Sequence, residues 1–217
     1  MNELSQQLSA KFVSFEGIDG CGKSTLLTEL AGWLREKSIP FIKTREPGGT
    51  RLGEKIREVL LDPSFEAMNE QAEVLLYSAS RAQLVHEVVQ PALRQGMWVL
   101  ADRYIDATLA YQGYGRGLEL APLRRIQDWA TGGLQPDFTI LLDCEIEVAS
   151  SRMKARAATG DRIEQASRRF HERVRGGYLE LARAAPKRLI VINANGPLQE
   201  VITNFRVAFA EALTGHC

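Results

Sequence analysis

The sequence predicts an α/β fold in which helices cover both faces of a five-stranded parallel sheet, giving three layers. Three observations support this prediction. Short apolar runs rich in β-branched and aromatic residues recur along the chain, helical patterns separate them, and the runs carry few polar residues. Strands alternating with helices favour a parallel sheet, and mostly apolar strands are typical of a sheet covered on both faces. With 217 residues, 45% of them hydrophobic, we expect one domain over residues 1–217.

The elements are predicted from these two patterns. The strands are expected at 12–16 (FVSFE), 41–45 (FIKTR), 98–102 (WVLAD), 138–143 (FTILLD) and 189–193 (LIVIN). Apolar residues spaced three or four apart predict helices between them, with stripes at Leu26, Leu27, Leu30 and Leu34, at Leu52, Ile56 and Leu60, and at Leu198, Val201, Ile202, Phe205, Phe209 and Leu213. Pro197 suits a first helical position. Pro91 is expected to kink or end a long helix that begins near Asn69.

The composition excludes several classes of function. Lysine plus arginine equals aspartate plus glutamate at 27 each, so no overall charge attracts a nucleic acid polymer or an anionic membrane. Cys21, Cys144 and Cys217 show no CxxC spacing, which argues against a disulfide framework and a zinc site. The N-terminus is polar and no run approaches the ~20 apolar residues of a membrane span. We therefore expect a cytoplasmic protein.

A glycine-rich segment between the first strand and the first helix predicts a phosphate-binding loop. Gly17, Gly22, Lys23 and Ser24 fit the pattern GxxxxGK[ST], in which backbone N–H groups surround phosphates, the lysine reaches the β and γ phosphates and the hydroxyl binds Mg²⁺. The alternative is a glycine-rich turn with an exposed lysine. Asp102, at the end of the third strand, is expected to complete the Mg²⁺ site, although an aspartate at a strand end is weak support alone.

A phosphate loop leaves the acceptor open, and three functions compete: a GTPase-type switch, an ATP-driven machine and a kinase of a small acceptor. The guanine-reading NKxD is absent, since the nearest candidate is the segment 193–195 (NAN), and one fold nearly uses up the chain. Arg45 and Arg103 follow predicted strands, where two arginines can bind one phosphate. Singly, each would more often form a surface ion pair. These residues favour the kinase.

Six further segments make the sequence resemble the bacterial thymidylate kinases. They are TREPGGT (44–50), LLYSASRAQ (75–83), DRY (102–104), YQGYGRG (111–117), LQPD (134–137) and DRIEQ (161–165), in family order. The resemblance implies the P-loop nucleoside monophosphate kinase fold, ATP with Mg²⁺ as phosphoryl donor, dTMP as acceptor, dTDP as product and a homodimer.

The resemblance also assigns the two substrate sites. The expected nucleotide-binding residues are Gly17, Asp19, Gly20, Cys21, Gly22, Lys23, Ser24, Thr25 and Arg152. The expected acceptor-binding residues are Asp19, Arg45, Tyr77, Arg81, Arg103, Thr108, Tyr111 and Gln112. Tyr77 would stack on thymine while Arg81, four residues on, bonds a base carbonyl. A core tyrosine and a surface arginine are the alternatives when each is taken singly.

The remaining roles follow from the same resemblance. Thr108 and Gln112 would lie at the base edge, Tyr111 against C2′ of the sugar, and Asp19 on the 3′-hydroxyl. Cys21 is expected near the phosphates without a redox role.

Catalysis is expected to depend on positive charge, because the acceptor phosphate needs no general base. Lys23, Arg103 and Mg²⁺ on Ser24 and Asp102 supply part of that charge. The phosphate loop itself contains no arginine, so a lid at about residues 150–165 is predicted to supply the rest through Arg152, Arg156 or Arg162, with Gly160 as a flexing point. Between Ala149 and Arg183 there are nine basic and four acidic residues, although a solvated helical face is the ordinary reading of such a run.

Overall fold

The computed structural model describes residues 9–154 and 161–215. Its sheet contains β1 (Phe12–Glu16), β2 (Phe41–Arg45), β3 (Trp98–Asp102), β4 (Phe138–Asp143) and β5 (Leu189–Asn193). All pairings are parallel and the order is β2-β3-β1-β4-β5. The predicted fold class and the five predicted strands are therefore confirmed.

The sheet brings the carboxyl ends of three neighbouring strands, β2, β3 and β1, together. In the register, Phe15 of β1 pairs with Asp102 of β3, and Asp102 pairs with Arg45 of β2. Strand order changes direction beside β1, and ligands of open α/β sheets bind at the carboxyl edge at such a point. The candidate site residues that follow these strands consequently lie at one edge.

Nine α-helices are described. They are α1 (Lys23–Glu36), α2 (Arg51–Leu61), α3 (Glu70–Leu84), α4 (Gln90–Arg94), α5 (Ile105–Thr108), α6 (Leu120–Thr131), α7 (Ile146–Lys154), α8 (Arg168–Ala184) and α9 (Leu198–Thr214). A single 3₁₀ turn lies at Pro63–Phe65, and wider π-type turns lie at Val85–Val89 and Leu109–Gly115.

The apolar stripe of α1 is confirmed, since its four leucines are buried in the core beside β1. In α2, by contrast, only Leu60 of the predicted stripe is buried, and Leu52 is 50% exposed. The spacing identified the helix correctly, and Ile56 is half-buried, so only Leu52 of the three lies on the exposed side of this helix, which packs against α3.

Pro91 does not end its helix. Asn69 caps α3 through its side chain, and the helical path continues through the π-type turn at 85–89 into α4, where Pro91 occupies the first turn. A proline is tolerated in a first turn because the N–H groups there have no helical partner. The irregular hydrogen bonding therefore precedes the proline.

Two apolar clusters fill the space on either side of the sheet. The larger contains β1, β4, α1, α8 and α9 residues, and the smaller packs Phe12 and Tyr104 against the segment that follows α3. Within residues 9–154 and 161–215, no helix is long and apolar enough to cross a membrane.

Candidate active site

The phosphate loop joins β1 to α1 at the carboxyl edge of the sheet. Gly22 stands before α1 with φ 106°, in the left-handed region that favours glycine. Lys23 is 8% exposed, and its Nζ donates to the carbonyl oxygens of Gly17 and Ile18 at 3.2 and 3.1 Å. The lysine charge is thus held over the loop, at the N-terminus of α1, where anions are favoured.

Gly20 is fixed by the close approach of α7. A Cβ at this position would lie 2.4 Å from the carbonyl oxygen of Ala149, and the φ of Gly20 is 81°. No other residue fits without moving the helix. The loop and the start of the proposed lid are therefore in direct contact.

Three predicted nucleotide-binding residues lie differently from Lys23. Cys21 is 1% exposed and packs in the core, so its thiol does not face the cleft as expected. Thr25 is half-buried in the first turn of α1. Arg152 donates to the carbonyl oxygens of Ala194 and Gly196 at 2.8 and 3.3 Å, which fastens α7 to the loop after β5.

A large cleft extends from the phosphate loop towards α7 and the start of α8. Ser24, Asp102 and Arg45 line it together with Lys23. From the basic segment, Lys154 and Arg168 line it, whereas Arg152 and Arg162 do not. Positive charge therefore lies near this cleft as predicted, but two of the predicted arginines, Arg152 and Arg162, are placed elsewhere.

Arg103, which follows β3, forms the hydrogen bonds that connect this strand end to the phosphate loop after β1. Its backbone has φ 74°, which is rare for a residue with a side chain. Nη1 donates to the Gly17 carbonyl at 3.0 Å and to Tyr178 Oη at 3.3 Å, and Nη2 donates to Asp19 Oδ1 at 2.6 Å. The guanidinium also lies 4.9 Å from the ring centre of Tyr111.

Asp19 is held as a carboxylate at the same point. Burial alone would raise the pKa of Asp19, but the charges of Arg103 and Lys23 and hydrogen bonds from Arg103 and Tyr111 lower it well below its ordinary value. Its Oδ2 accepts from Tyr111 Oη at 3.3 Å. The group predicted to bind a sugar hydroxyl is therefore an ionised hydrogen-bond acceptor.

Glu16 lies directly behind this cluster. It is fully buried, and its two oxygens accept from the Tyr104 N–H and from Tyr178 Oη, both at 2.7 Å. Burial first, and the nearby Asp106 second, raise the pKa of Glu16 to about 8, against the opposing charge of Arg103. Tyr178 consequently links Glu16 to Arg103.

A second pocket opens on the other side of Asp19 and Arg103. Its lining consists of Asp19, Glu46, Arg57, Leu61, Tyr77, Arg81, Arg103, Ala107, Thr108, Tyr111, Gln112, Asp161 and Ile163. All the predicted acceptor-binding residues except Arg45 lie in this set. The π-type turn at 109–115 places Tyr111 and Gln112 there, and such turns often occur at functional sites.

Arg81 forms the buried wall of this pocket. It is 1% exposed and donates to Glu46 Oε2 at 2.6 Å, to Thr108 Oγ1 at 3.0 Å, to the Tyr104 carbonyl at 3.0 Å and to Gln127. With these partners, its guanidinium is fixed in orientation. The surface arginine considered as an alternative is therefore excluded.

Arg45 lies in the phosphate-loop cleft beside Asp102, at 53% side-chain exposure, and pairs with Glu54 at 2.7 Å. Arg162 is 7% exposed and lies behind the second pocket, where Nε donates to the Leu60 carbonyl and Nη2 donates to Glu73 at 2.5 Å. It does not reach the phosphate loop in this arrangement. Arg156 and Gly160 lie outside the described residues.

Four functional candidates were missed by sequence reasoning. Glu46 and Arg57 line both clefts, Tyr178 bonds Arg103, and Glu73 bonds Gln112. Glu46 lines the second pocket, and its Oε1 is buried without a hydrogen-bond partner among the described residues. Of these, only Glu46 had a sequence signal, because it follows Arg45 within the TREPGGT segment.

The two clefts meet at one wall. Asp19, Arg103, Glu46 and Arg57 line both of them. A phosphate loop that faces a second polar pocket across such a wall allows two ligands to meet end to end. The fold and this arrangement define a P-loop kinase of small molecules.

Comparison with known proteins identifies the family. The sequence profile of the thymidylate kinase family matches residues 15–204. The chain is 50% identical over 200 residues to a thymidylate kinase of Deinococcus radiodurans, covering 92% of this chain and 96% of that one. It is 48% identical over 208 residues to one of Carboxydothermus hydrogenoformans, covering 96% and 100%. The chain belongs to the thymidylate kinase family.

Replacing Glu16 by glutamine tests whether the buried carboxyl group is protonated in the native state. The raised pKa means that protonated Glu16 stabilises the native state fully below pH 4.5, and that this stability is lost as the pH rises through about 8. Glutamine cannot ionise, so the free energy of unfolding of Glu16→Gln should rise relative to wild type between about pH 5 and pH 8. Urea denaturation at several pH values measures the difference. A difference that stays constant over this interval would contradict a protonated Glu16.

Proposed function

We propose that this protein transfers the γ-phosphoryl group of ATP to dTMP, giving dTDP and ADP in deoxythymidine nucleotide synthesis. The observation that carries the proposal is the shared wall of Asp19, Arg103, Glu46 and Arg57 between the phosphate-loop cleft and the second pocket. ATP occupies the first cleft and dTMP the second. Membership of the thymidylate kinase family supports this assignment.

The residues on the wall suit a reaction between two anions. The acceptor oxygen belongs to an ionised phosphate, so catalysis requires alignment and positive charge and no general base. Lys23 and Arg103 both lie near Asp19, at 3.7 and 2.6 Å from Oδ1. They supply charge to the transferring group and to the acceptor phosphate, respectively.

Magnesium is proposed as the cofactor because the donor set fits it. Ser24 presents an exposed hydroxyl and Asp102 a carboxylate at the edge of the same cleft. Mg²⁺ in kinases keeps several waters and takes only one or two protein ligands besides phosphate oxygens. Consistent with this, the described residues contain no cluster of three or more histidine, cysteine or acidic side chains. When bound, the ion neutralises charge on the transferring phosphates.

In the second pocket, Tyr77 packs on the base, Thr108 and Gln112 bond its edge, and Tyr111 faces C2′ of the sugar. Asp19 accepts from the 3′-hydroxyl, and Arg81, which lines the pocket, bonds a base carbonyl. Arg45 binds the acceptor phosphate once it leaves Glu54.

The loop that Arg152 holds after β5 borders the adenine. Free, buried Cys21 and Cys144 agree with a cytoplasmic location.

The acceptor specificity provides the direct test. ADP release with dTMP should be rapid, and release with thymidine should remain at the background rate, because thymidine lacks the phosphate that Arg45 is proposed to bind. A coupled ADP assay measures both rates. Lys23→Ala is the inactive control, and its kcat should be lower than that of wild type by a factor of at least ~10². Turnover of thymidine would indicate a nucleoside kinase. Stoichiometric ATP binding without dTMP-dependent ADP release would indicate a nucleotide-binding regulator.

The lid at about residues 150–165 is proposed to bring further charge over the phosphates. Arg156→Ala should lower kcat ~10²-fold because transition-state charge is lost. The same loss in Arg162→Ala would require its side chain to leave Glu73 during closure. If Arg162 instead remains paired with Glu73 and has a structural role, its removal should lower the free energy of unfolding by about 3 kcal/mol and leave kcat largely unchanged. Steady-state kinetics and urea denaturation of both variants decide between these roles, and wild-type kcat in both would show that neither Arg156 nor Arg162 supplies the charge.

A homodimer is proposed from the family and from exposed apolar side chains. The neighbouring helices α2, α3 and α6 carry Leu52, Leu75 and Trp129, which are 50%, 59% and 88% exposed. Exposed groups of this kind are typical of association surfaces.

Leu75→Arg should convert the dimer into single chains, because a charge would be buried in the interface. Light scattering after size-exclusion chromatography measures the mass. Val207→Arg on α9, where Val207 is 55% exposed, is the matched control and should remain dimeric. A wild-type protein with the mass of one chain would refute the dimer.

A further inference from the structure

Glu73 lies behind the acceptor pocket and gathers three donors. It is on α3, is 1% exposed and does not line the pocket itself. Oε1 accepts from Gln112 Nε2 at 2.7 Å, while Oε2 accepts from Arg116 Nη2 at 3.2 Å and from Arg162 Nη2 at 2.5 Å. These partners come from the π-type turn and from the segment after residue 160. The carboxylate of Glu73 thus connects Gln112, at the proposed base edge, to Arg162, in the proposed lid region.

The charge state of Glu73 decides which way the Gln112 amide points. Burial would raise the pKa of Glu73, but the hydrogen bond from Gln112 and the charges of Arg116 and Arg162 lower it below its ordinary value. An ionised carboxylate only accepts hydrogen bonds. The amide nitrogen of Gln112 must therefore face Glu73, and its oxygen is turned to the other side.

That other side is the acceptor pocket. Gln112 is 2% exposed overall and lines the pocket. Among the described residues, the side chain of Gln112 forms its hydrogen bond with Glu73. The pocket is therefore offered a carbonyl oxygen, which is a hydrogen-bond acceptor, at this position.

Thr108 offers the opposite group. Its Oγ1 accepts from Arg81 Nη1 at 3.0 Å, and Arg81 is itself fixed by Glu46 and by the Tyr104 carbonyl. The hydroxyl proton of Thr108 is consequently directed away from Arg81 and is free to donate. The pocket edge thus carries one donor and one acceptor, each set by a buried charged residue behind it.

We infer that Glu73 is a positioning residue for base specificity: by holding Gln112 with its oxygen towards the pocket, it selects pyrimidines that carry an N3–H and excludes cytosine. This inference rests on the proposed function. Thymine and uracil present an N3–H beside a carbonyl oxygen, which matches Gln112 and Thr108. Cytosine presents a bare N3 beside an amino group, so both contacts would be mismatched. Buried polar mismatches of this kind discriminate strongly between substrates.

The test is Glu73→Gln, which keeps the side-chain shape. A neutral amide can donate as well as accept, so Gln112 is released to turn. The ratio of kcat/KM for dTMP to that for dCMP should fall at least about tenfold, mainly because KM for dCMP falls while kcat for dTMP changes little. Arg116→Gln is the matched control: it also removes an ion pair of Glu73 but leaves the bond to Gln112, so its ratio should equal that of wild type.

Two outcomes would overturn the inference. One is a folded Glu73→Gln protein with the wild-type ratio, and the other is an equal fall in Arg116→Gln, which would indicate a general loosening of the pocket. Thermal unfolding establishes that each variant is folded. Wild-type enzyme that does not turn over dTMP would refute the proposed function, whereas turnover of dTMP with an unchanged ratio in Glu73→Gln would refute this inference alone.

A measurement on the wild-type protein decides the matter if Glu73→Gln does not fold. The N3–H of 5-fluoro-dUMP is more acidic than that of dUMP, and its anion presents a bare N3 to Gln112. Calorimetric affinity for 5-fluoro-dUMP should therefore decline relative to dUMP as the pH rises from neutral to mildly alkaline. Parallel pH profiles for the two ligands would show that Gln112 does not present its oxygen, and would overturn the inference.

Discussion

Arg103 and Asp19 form the ion pair around which the two clefts are arranged. The pair joins a residue that follows β3 to a residue of the phosphate loop after β1, at 2.6 Å. The backbone of Arg103 has φ 74°, and such a conformation costs of order 1–3 kcal/mol. The bonds from Arg103 to the Gly17 carbonyl and Tyr178 offset that cost. The strained backbone is thus sustained by the same contacts that place positive charge between the clefts.

Behind this pair, buried acidic residues determine the orientation of the groups that face the ligands. Glu16 holds Tyr178, Glu46 holds Arg81 and Glu73 holds Gln112. Each carboxyl group is buried and therefore needs hydrogen-bond partners to compensate its lost hydration. Those partners are fixed as a consequence, and the polar pattern of the acceptor pocket follows from the residues behind it.

Much of the catalytic edge was accessible from local patterns. The glycine-lysine-serine spacing located the phosphate loop because the same backbone turn recurs wherever a strand feeds a phosphate-binding helix. Strand ends located Asp102, Arg103 and Arg45, since parallel strands bring their carboxyl ends to one edge. Arg162, in contrast, was expected over the phosphates and lies against Glu73. Its partner is 89 residues away in the sequence, so no local pattern could predict the contact.

The sequence by itself determined the order of strands and helices, the phosphate loop and the family resemblance, because each depends on residues close together in the chain. Tertiary structure alone decided which helix face is buried, as in α2, and which residues share a wall. Arg57 and Glu73, on α2 and α3, could be placed at the site only once these helices were packed beside the sheet. The physical reason is that hydrogen bonding and burial depend on distance in space, and the partners that orient a site come from elements far apart along the chain.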